Sequence, residues 1–313
     1  MAAAGAVKVA APHLVSDLDL SAGEVRALLD LAASVKKTPR KYAHKLSGRY
    51  LALLFEKPSL RTRMTFELAI KQLGGDSVFS EYNGHRIGDR EPIQDVARNL
   101  ERWVHGIVAR TYEQKTIEEL AQWSGIPVIN ALSDRYHPCQ ALADFFTLRE
   151  RFRETAGRKL AFVGDGNNVA HSLMLGAARL GMDMAVSTPS GYEPEAAIVA
   201  AARELAAASG CSLRLVTDPF EAVEGADAVY TDVWASMGQE KEARLRRRLF
   251  APYQVTPRLM SAARPEAVFL HCLPAHRGEE VLSEVIESPV SIVFDQAENR
   301  LHVQKALLLM MLS

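Results

Sequence analysis

Short apolar runs alternate along this chain with stretches whose apolar residues recur three and four positions apart. That alternation is the mark of a parallel sheet with helices on its faces. The clearest instance lies at 50–73. Tyr50, Leu51, Ala52, Leu53, Leu54 and Phe55 form a nearly continuous apolar run that reads as a buried strand, and Lys57, Pro58 and Ser59 break it. Met64, Leu68 and residues 70–73 then recur at helical spacing until Gly74 and Gly75 stop them. Ser59 falls where an N-cap would sit. The helix opens on Arg61, Thr62 and Arg63, although its dipole disfavours cations there by roughly 0.3–1 kcal/mol each. A bound dianion would offset that cost, held by free N–H groups, the Ser59 and Thr62 hydroxyls and bidentate guanidinium groups. An ordinary capped helix with two solvated arginines fits the same residues. The turn is not a Walker loop, because no Gly-Lys-Ser/Thr follows a glycine-rich stretch.

The alternation continues. Helical spacing covers 14–37, with Ser21 as a cap, and a strand is expected at 77–79. A polar loop at 83–91 precedes a helix through Ile93, Val96, Leu100 and Val104. Strand 106–109 ends at Arg110, a helix covers 117–123, and a strand lies at 127–129. His137, Pro138, Cys139 and Gln140 open a long helix that connects two halves. The pattern then restarts with strand 160–163, turn 164–168 and helix 169–180. Further strands are expected at 184–187, 213–216, 228–231, 268–270 and 292–294, before a terminal helix over 297–311. The fold class is therefore α/β: two domains, 1–148 and 149–295, each a parallel sheet with helices on both faces, the segment 296–313 completing the first. Ligands in such sheets sit at the carboxyl ends of the strands. Arg61, Arg110, His137, Asn168, Asp232 and Cys272 each follow an expected strand, so the active site is expected in a cleft between the domains.

Composition limits the partners. The 313 residues carry a net charge of −1, which gives no bulk attraction to nucleic acid or membrane. No apolar run approaches the ~18 residues of a membrane span. The three cysteines show neither metal-ligand spacing nor a disulfide framework, and the N-terminus lacks the charged start and long apolar core of a signal peptide, so none is expected. A soluble, cytoplasmic chain without metal or cofactor is expected. The basic run Arg244, Arg246, Arg247 and Arg248 reads as a solvated helix face.

Four motifs in order carry a resemblance: Ser59-Leu60-Arg61-Thr62-Arg63, His137-Pro138-Cys139-Gln140, Asp232 with Ser236-Met237-Gly238, and His271-Cys272-Leu273-Pro274. Together the chain resembles the ornithine carbamoyltransferases over essentially its whole length. The resemblance implies that carbamoyl phosphate binds the first domain and that the side-chain amine of L-ornithine, bound by the second, attacks its carbonyl carbon to give citrulline and phosphate. It implies catalytic roles for Arg61, His137, Cys272 and Arg300. Ser59, Leu60, Arg61, Thr62, Arg86, Arg110, His137, Gln140, Cys272, Leu273 and Arg300 would contact carbamoyl phosphate. Asn168, Asp232, Ser236 and Met237 would bind ornithine. The chemistry agrees, since donors aimed at the developing oxyanion are typically worth ~10²–10³ in rate each.

Two departures are visible. Leu60 stands where threonine or methionine is usual, in a role that uses the backbone. Arg86 stands where a glutamine usually reaches carbamoyl phosphate, in related aspartate enzymes from the neighbouring subunit. If that contact holds, sites form only at subunit interfaces and the working unit is a homotrimer or a multiple of it. Other acceptors compete with ornithine. Aspartate would need paired cations that the acceptor motifs lack, putrescine would not need the Ser236 loop, and charge does not separate N-acetylornithine. A dinucleotide oxidoreductase is suggested by residues 163–168, but the turn lacks the third glycine and Asp165 would crowd a pyrophosphate. A non-catalytic carbamoyl phosphate-binding subunit would be expected to have lost Arg61, His137, Cys272 or Arg300, and all four are present.

Overall fold

A computed structural model describes residues 9–82, 84–235 and 242–313. The chain divides into two compact units, 1–146 with 298–313, and 147–297. The division falls within two helices, Pro138–Phe152 and Val293–Leu312.

In the first unit, β1 (Tyr50–Phe55), β2 (Asp76–Glu81), β3 (Gly106–Arg110) and β4 (Val128–Leu132) form a parallel sheet in the order β2-β1-β3-β4. The chain leaves β1 for β2 on one side and returns to β3 on the other. Such a reversal opens a crevice at the carboxyl ends of β1 and β3. The buried β1 residues Ala52 and Leu54 pack with Ile107, Ala109, Ile117 and Leu120. Gly75 is obligatory here, since a Cβ would lie 2.5 Å from the Arg49 carbonyl oxygen.

In the second unit, β5 (Lys159–Val163), β6 (Asp183–Ser187), β7 (Leu213–Val216), β8 (Ala228–Thr231) and β9 (Val268–His271) form another parallel sheet, in the order β7-β6-β5-β8-β9. Its reversal lies between β5 and β8. Val163, Val229 and Phe269 lead a core that includes Val255, Val281 and Val293.

The expected last strand at 292–294 does not form. Ser291 makes a single bridge to Phe269, and the helix Val293–Leu312 begins at once. Val293 is buried and Phe294 is 66% exposed. Three consecutive apolar residues fit either state, and here the run is too short to oppose a helix that starts four residues before the expected 297. Among the described residues, no helix is long and apolar enough to cross a membrane.

Candidate active site

The turn after β1 takes the form its residues imply. Ser59 caps the helix Leu60–Gln72, its Oγ accepting from the Thr62 N–H at 3.2 Å. Leu60 is 72% exposed, so its side chain builds nothing here. Thr62 is buried, and its Oγ1 accepts from Arg300 Nη2 at 2.7 Å. Arg300 Nη1 donates to Gln140 Oε1 at 2.6 Å, while Gln140 Nε2 donates to Asp144 Oδ1 at 2.7 Å. The Gln140 amide is thereby fixed with its oxygen toward the arginine. Arg300 thus ties the turn after β1 to the helix that begins at Pro138.

His137 lies in the same neighbourhood. Burial holds its imidazole well below the usual range, and Arg300, Arg110 and Arg61 lower it further. Residues from the ends of β1 and β3, the start of one helix and the interior of another therefore share one electrostatic field. Guanidinium groups gathered around a buried neutral imidazole repel one another, so the arrangement marks a place built for an anion.

Arg86 is held differently: it pairs with Glu113, and its guanidinium lies 5.5 Å from the Tyr112 ring centroid. Two neighbours were not singled out from the sequence. Glu56, 2% exposed, accepts from the Ile87 and Tyr112 N–H groups, both at 2.7 Å, and so anchors the segments beside Arg86 and Arg110. Lys57 is buried, with Nζ 4.8 Å from the Tyr112 ring centroid; burial and then Arg110 lower its pKa. Their only sequence signal is that two charged residues directly follow a buried strand.

In the second unit, the site gathers at the β5–β8 reversal. Asp232 follows β8 and is 6% exposed. Its Oδ1 accepts from Cys272 Sγ at 3.0 Å and from the Val233 N–H at 2.8 Å; its Oδ2 accepts from Asn167 Nδ2 at 2.8 Å. Asn167 also caps the helix Asn168–Leu180 through its Oδ1. Asn168 is the first residue of that helix, and the neighbouring Asn167, not marked from the sequence, helps to orient the carboxylate. Ser236 and Met237 lie outside the described residues.

Cys272 and Leu273 leave β9 in a sharp turn, Leu273 with φ 56°. The Leu273 N–H donates to His271 Nδ1 at 2.8 Å, and His271 Nε2 faces Glu280 Oε1 at 3.0 Å. Nδ1 must then be the acceptor and Nε2 the donor, which fixes the tautomer. Asp232, His271 and Cys272 offer donor atoms within 4.8 Å of one another. Both imidazole nitrogens are already engaged, however, so this trio is poorly suited to a cation. Arg244, Arg247 and Arg248 of the basic run are exposed, as expected of a solvated face, but Arg246 is 6% exposed, because Asp165 and the Trp234 carbonyl accept from it inside the unit.

Comparison with known proteins gives these two sets a family. Residues 12–150 match "Aspartate/ornithine carbamoyltransferase, carbamoyl-P binding domain", and residues 156–311 match "Aspartate/ornithine carbamoyltransferase, Asp/Orn binding domain". The chain belongs to the aspartate/ornithine carbamoyltransferase family. Among its relatives, it is 50% identical to the ornithine carbamoyltransferase of Gloeobacter violaceus, over 95% of this chain and 94% of that one. It is 49% identical to the anabolic ornithine carbamoyltransferase of Pyrococcus furiosus, over 96% of each. The solved structure of an ornithine carbamoyltransferase from Pyrococcus furiosus superimposes with a TM-score of 0.94 at 48% identity, covering 98% of both chains.

Proposed function

We propose that this protein transfers the carbamoyl group of carbamoyl phosphate to the side-chain amine of L-ornithine, giving L-citrulline and phosphate. The observation that carries the proposal is the gathering of Arg61, Arg110 and Arg300 around a neutral, buried His137 in the part of the chain that matches the carbamoyl phosphate-binding family. Such a field suits a doubly charged phosphate next to a carbonyl.

The helix start at 59–63, with Arg61, Thr62 and Arg110, holds the phosphate. His137, Thr62 and Arg300 face the carbonyl oxygen, where negative charge develops on attack. Gln140 and the Leu273 carbonyl accept from the carbamoyl NH₂. The unprotonated amine of ornithine attacks the carbonyl carbon, a C–N bond forms, and the bond to the phosphate oxygen breaks. The proton lost by the amine leaves with the phosphate. Asp232 and Cys272 hold the incoming amine, and Asn168, Ser236 and Met237 take up the amino-acid end of the acceptor. A homotrimer working in the cytoplasm, with Arg86 reaching carbamoyl phosphate at a subunit boundary, belongs to the same proposal; it is supported by the resemblance of the motifs.

Citrulline formation from carbamoyl phosphate tests the assignment, with ornithine, putrescine, N-acetylornithine and aspartate supplied in parallel. Strong preference for ornithine is expected. Turnover with another amine would keep the phosphate half and overturn the acceptor half.

A further inference from the structure

Arg246 sits on the helix Ala243–Phe250. Its Nη1 donates to Asp165 Oδ2 at 2.9 Å and to the main-chain carbonyl of Trp234 at 2.8 Å; its Nε donates to Glu242 Oε2 at 3.2 Å. The guanidinium lies 4.7 Å from the Tyr192 ring centroid and 5.8 Å from that of Phe250. Tyr192 in turn receives the Gly166 N–H on its carbonyl at 2.9 Å. One guanidinium therefore joins the turn after β5, the segment around Tyr192 and the chain beyond β8.

Stability is a weak reason for this pair. A buried ion pair is often no better than apolar residues of the same volume. Here burial pushes the Asp165 carboxyl up to about 6 against the pull of Arg246, with Asp232 and Glu242 adding to the rise. Position accounts for it better. Asp165 is two residues before Asn167, whose side chain holds Asp232 Oδ2. Trp234 is two residues beyond Asp232. The guanidinium thus holds the Asp165 side chain, two residues before Asn167, and the Trp234 main chain, two residues after the carboxylate assigned to the acceptor.

We infer that Arg246 is a positioning residue for the amine acceptor: by fixing the Asp165 turn and the Trp234 carbonyl it sets the placement of Asp232, and with it the affinity for ornithine. The inference rests on the carbamoyl-transfer proposal above. Arg246 acts through these groups and not on the substrate. Lysine keeps the charge but lacks the planar fork that reaches Glu242 through Nε while Nη1 serves Asp165 and Trp234.

Citrulline formation is measured with each substrate varied separately, for wild type, Arg246→Lys, Arg246→Met and Asp165→Asn, alongside carbamoyl phosphate affinity by calorimetry and thermal midpoints. Arg246→Met is expected to raise the ornithine KM about tenfold or more, and Arg246→Lys less, with carbamoyl phosphate affinity within about twofold of wild type. Asp165→Asn keeps an acceptor oxygen and should fall between wild type and Arg246→Met. A folded Arg246→Met with an unchanged ornithine KM, or with equal losses on both substrates, would overturn the inference. If Arg246→Met does not fold, Arg246→Lys and Asp165→Asn decide: an ornithine-selective loss supports it, and none overturns it. Wild-type protein that forms no citrulline is a separate result, which retracts the transfer and this inference together.

Discussion

At His137, burial and three guanidinium groups leave the neutral imidazole as the form the folded chain holds. A neutral ring still donates one N–H to a carbonyl oxygen, and it adds no fourth positive charge to the arginines. Replacing His137 with Asn should lower turnover by ~10²–10³. The pH profile of kcat should nonetheless keep its shape, because no His137 proton is gained or lost near neutrality. A variant whose profile loses an acidic limb near the ordinary histidine value would contradict this. Linkage supplies a second readout. The folded pKa lies below the unfolded value of about 6.5, so the group's contribution to stability is present above that pH and is lost as the pH falls. The urea midpoint should therefore drop more steeply below pH 6.5 in wild type than in His137→Asn.

At the level of elements, the turn after β5 shows how close packing imitates a different motif. Its Gly-x-Gly pattern hints at a dinucleotide loop, yet the second glycine answers to the chain itself. A Cβ at Gly166 would lie 2.3 Å from the Pro194 nitrogen and 2.6 Å from the Tyr192 carbonyl oxygen. Backbone cannot swing aside as a side chain can, so Gly166→Ala should cost about 1–3 kcal/mol, read as a lower thermal midpoint. The turn after β9 is held by an acceptor. Glu280 Oε1 takes both His271 Nε2 and the His276 N–H, at 3.0 and 2.6 Å. Glu280→Gln retains an oxygen for both donors and should stay near wild type in urea denaturation. Glu280→Ala leaves the buried His271 donor without its acceptor and should lose about 1–3 kcal/mol. Strand–turn–helix punctuation made most elements and the strand-end residues legible in the sequence, because burial and helical period leave local signals. Asn167 and Glu56 give no sign of their roles in the sequence, and Arg246 reads there as solvated, because those roles come from partners far along the chain: Asp232, Tyr112 and Asp165. A run of arginines looks the same whether its members meet water or one of them meets a buried carboxylate.

Across the whole molecule, the two sheets repeat one device. Each reverses its strand order once, and each places its chemistry at the reversal: Arg61 and Arg110 beyond β1 and β3, Asn167 and Asp232 beyond β5 and β8. One unit concentrates positive charge and the other presents a carboxylate engaged by a thiol and an amide. A transfer between an anionic donor and an amine acceptor divides along the same line. The most direct test is a kinetic comparison of Arg61→Ala and Asp232→Asn, with carbamoyl phosphate and ornithine each varied against saturating partner. Losses falling on carbamoyl phosphate in Arg61→Ala and on ornithine in Asp232→Asn are the predicted result. Undiminished turnover in folded Arg61→Ala, or losses on the same substrate in both variants, would contradict the account.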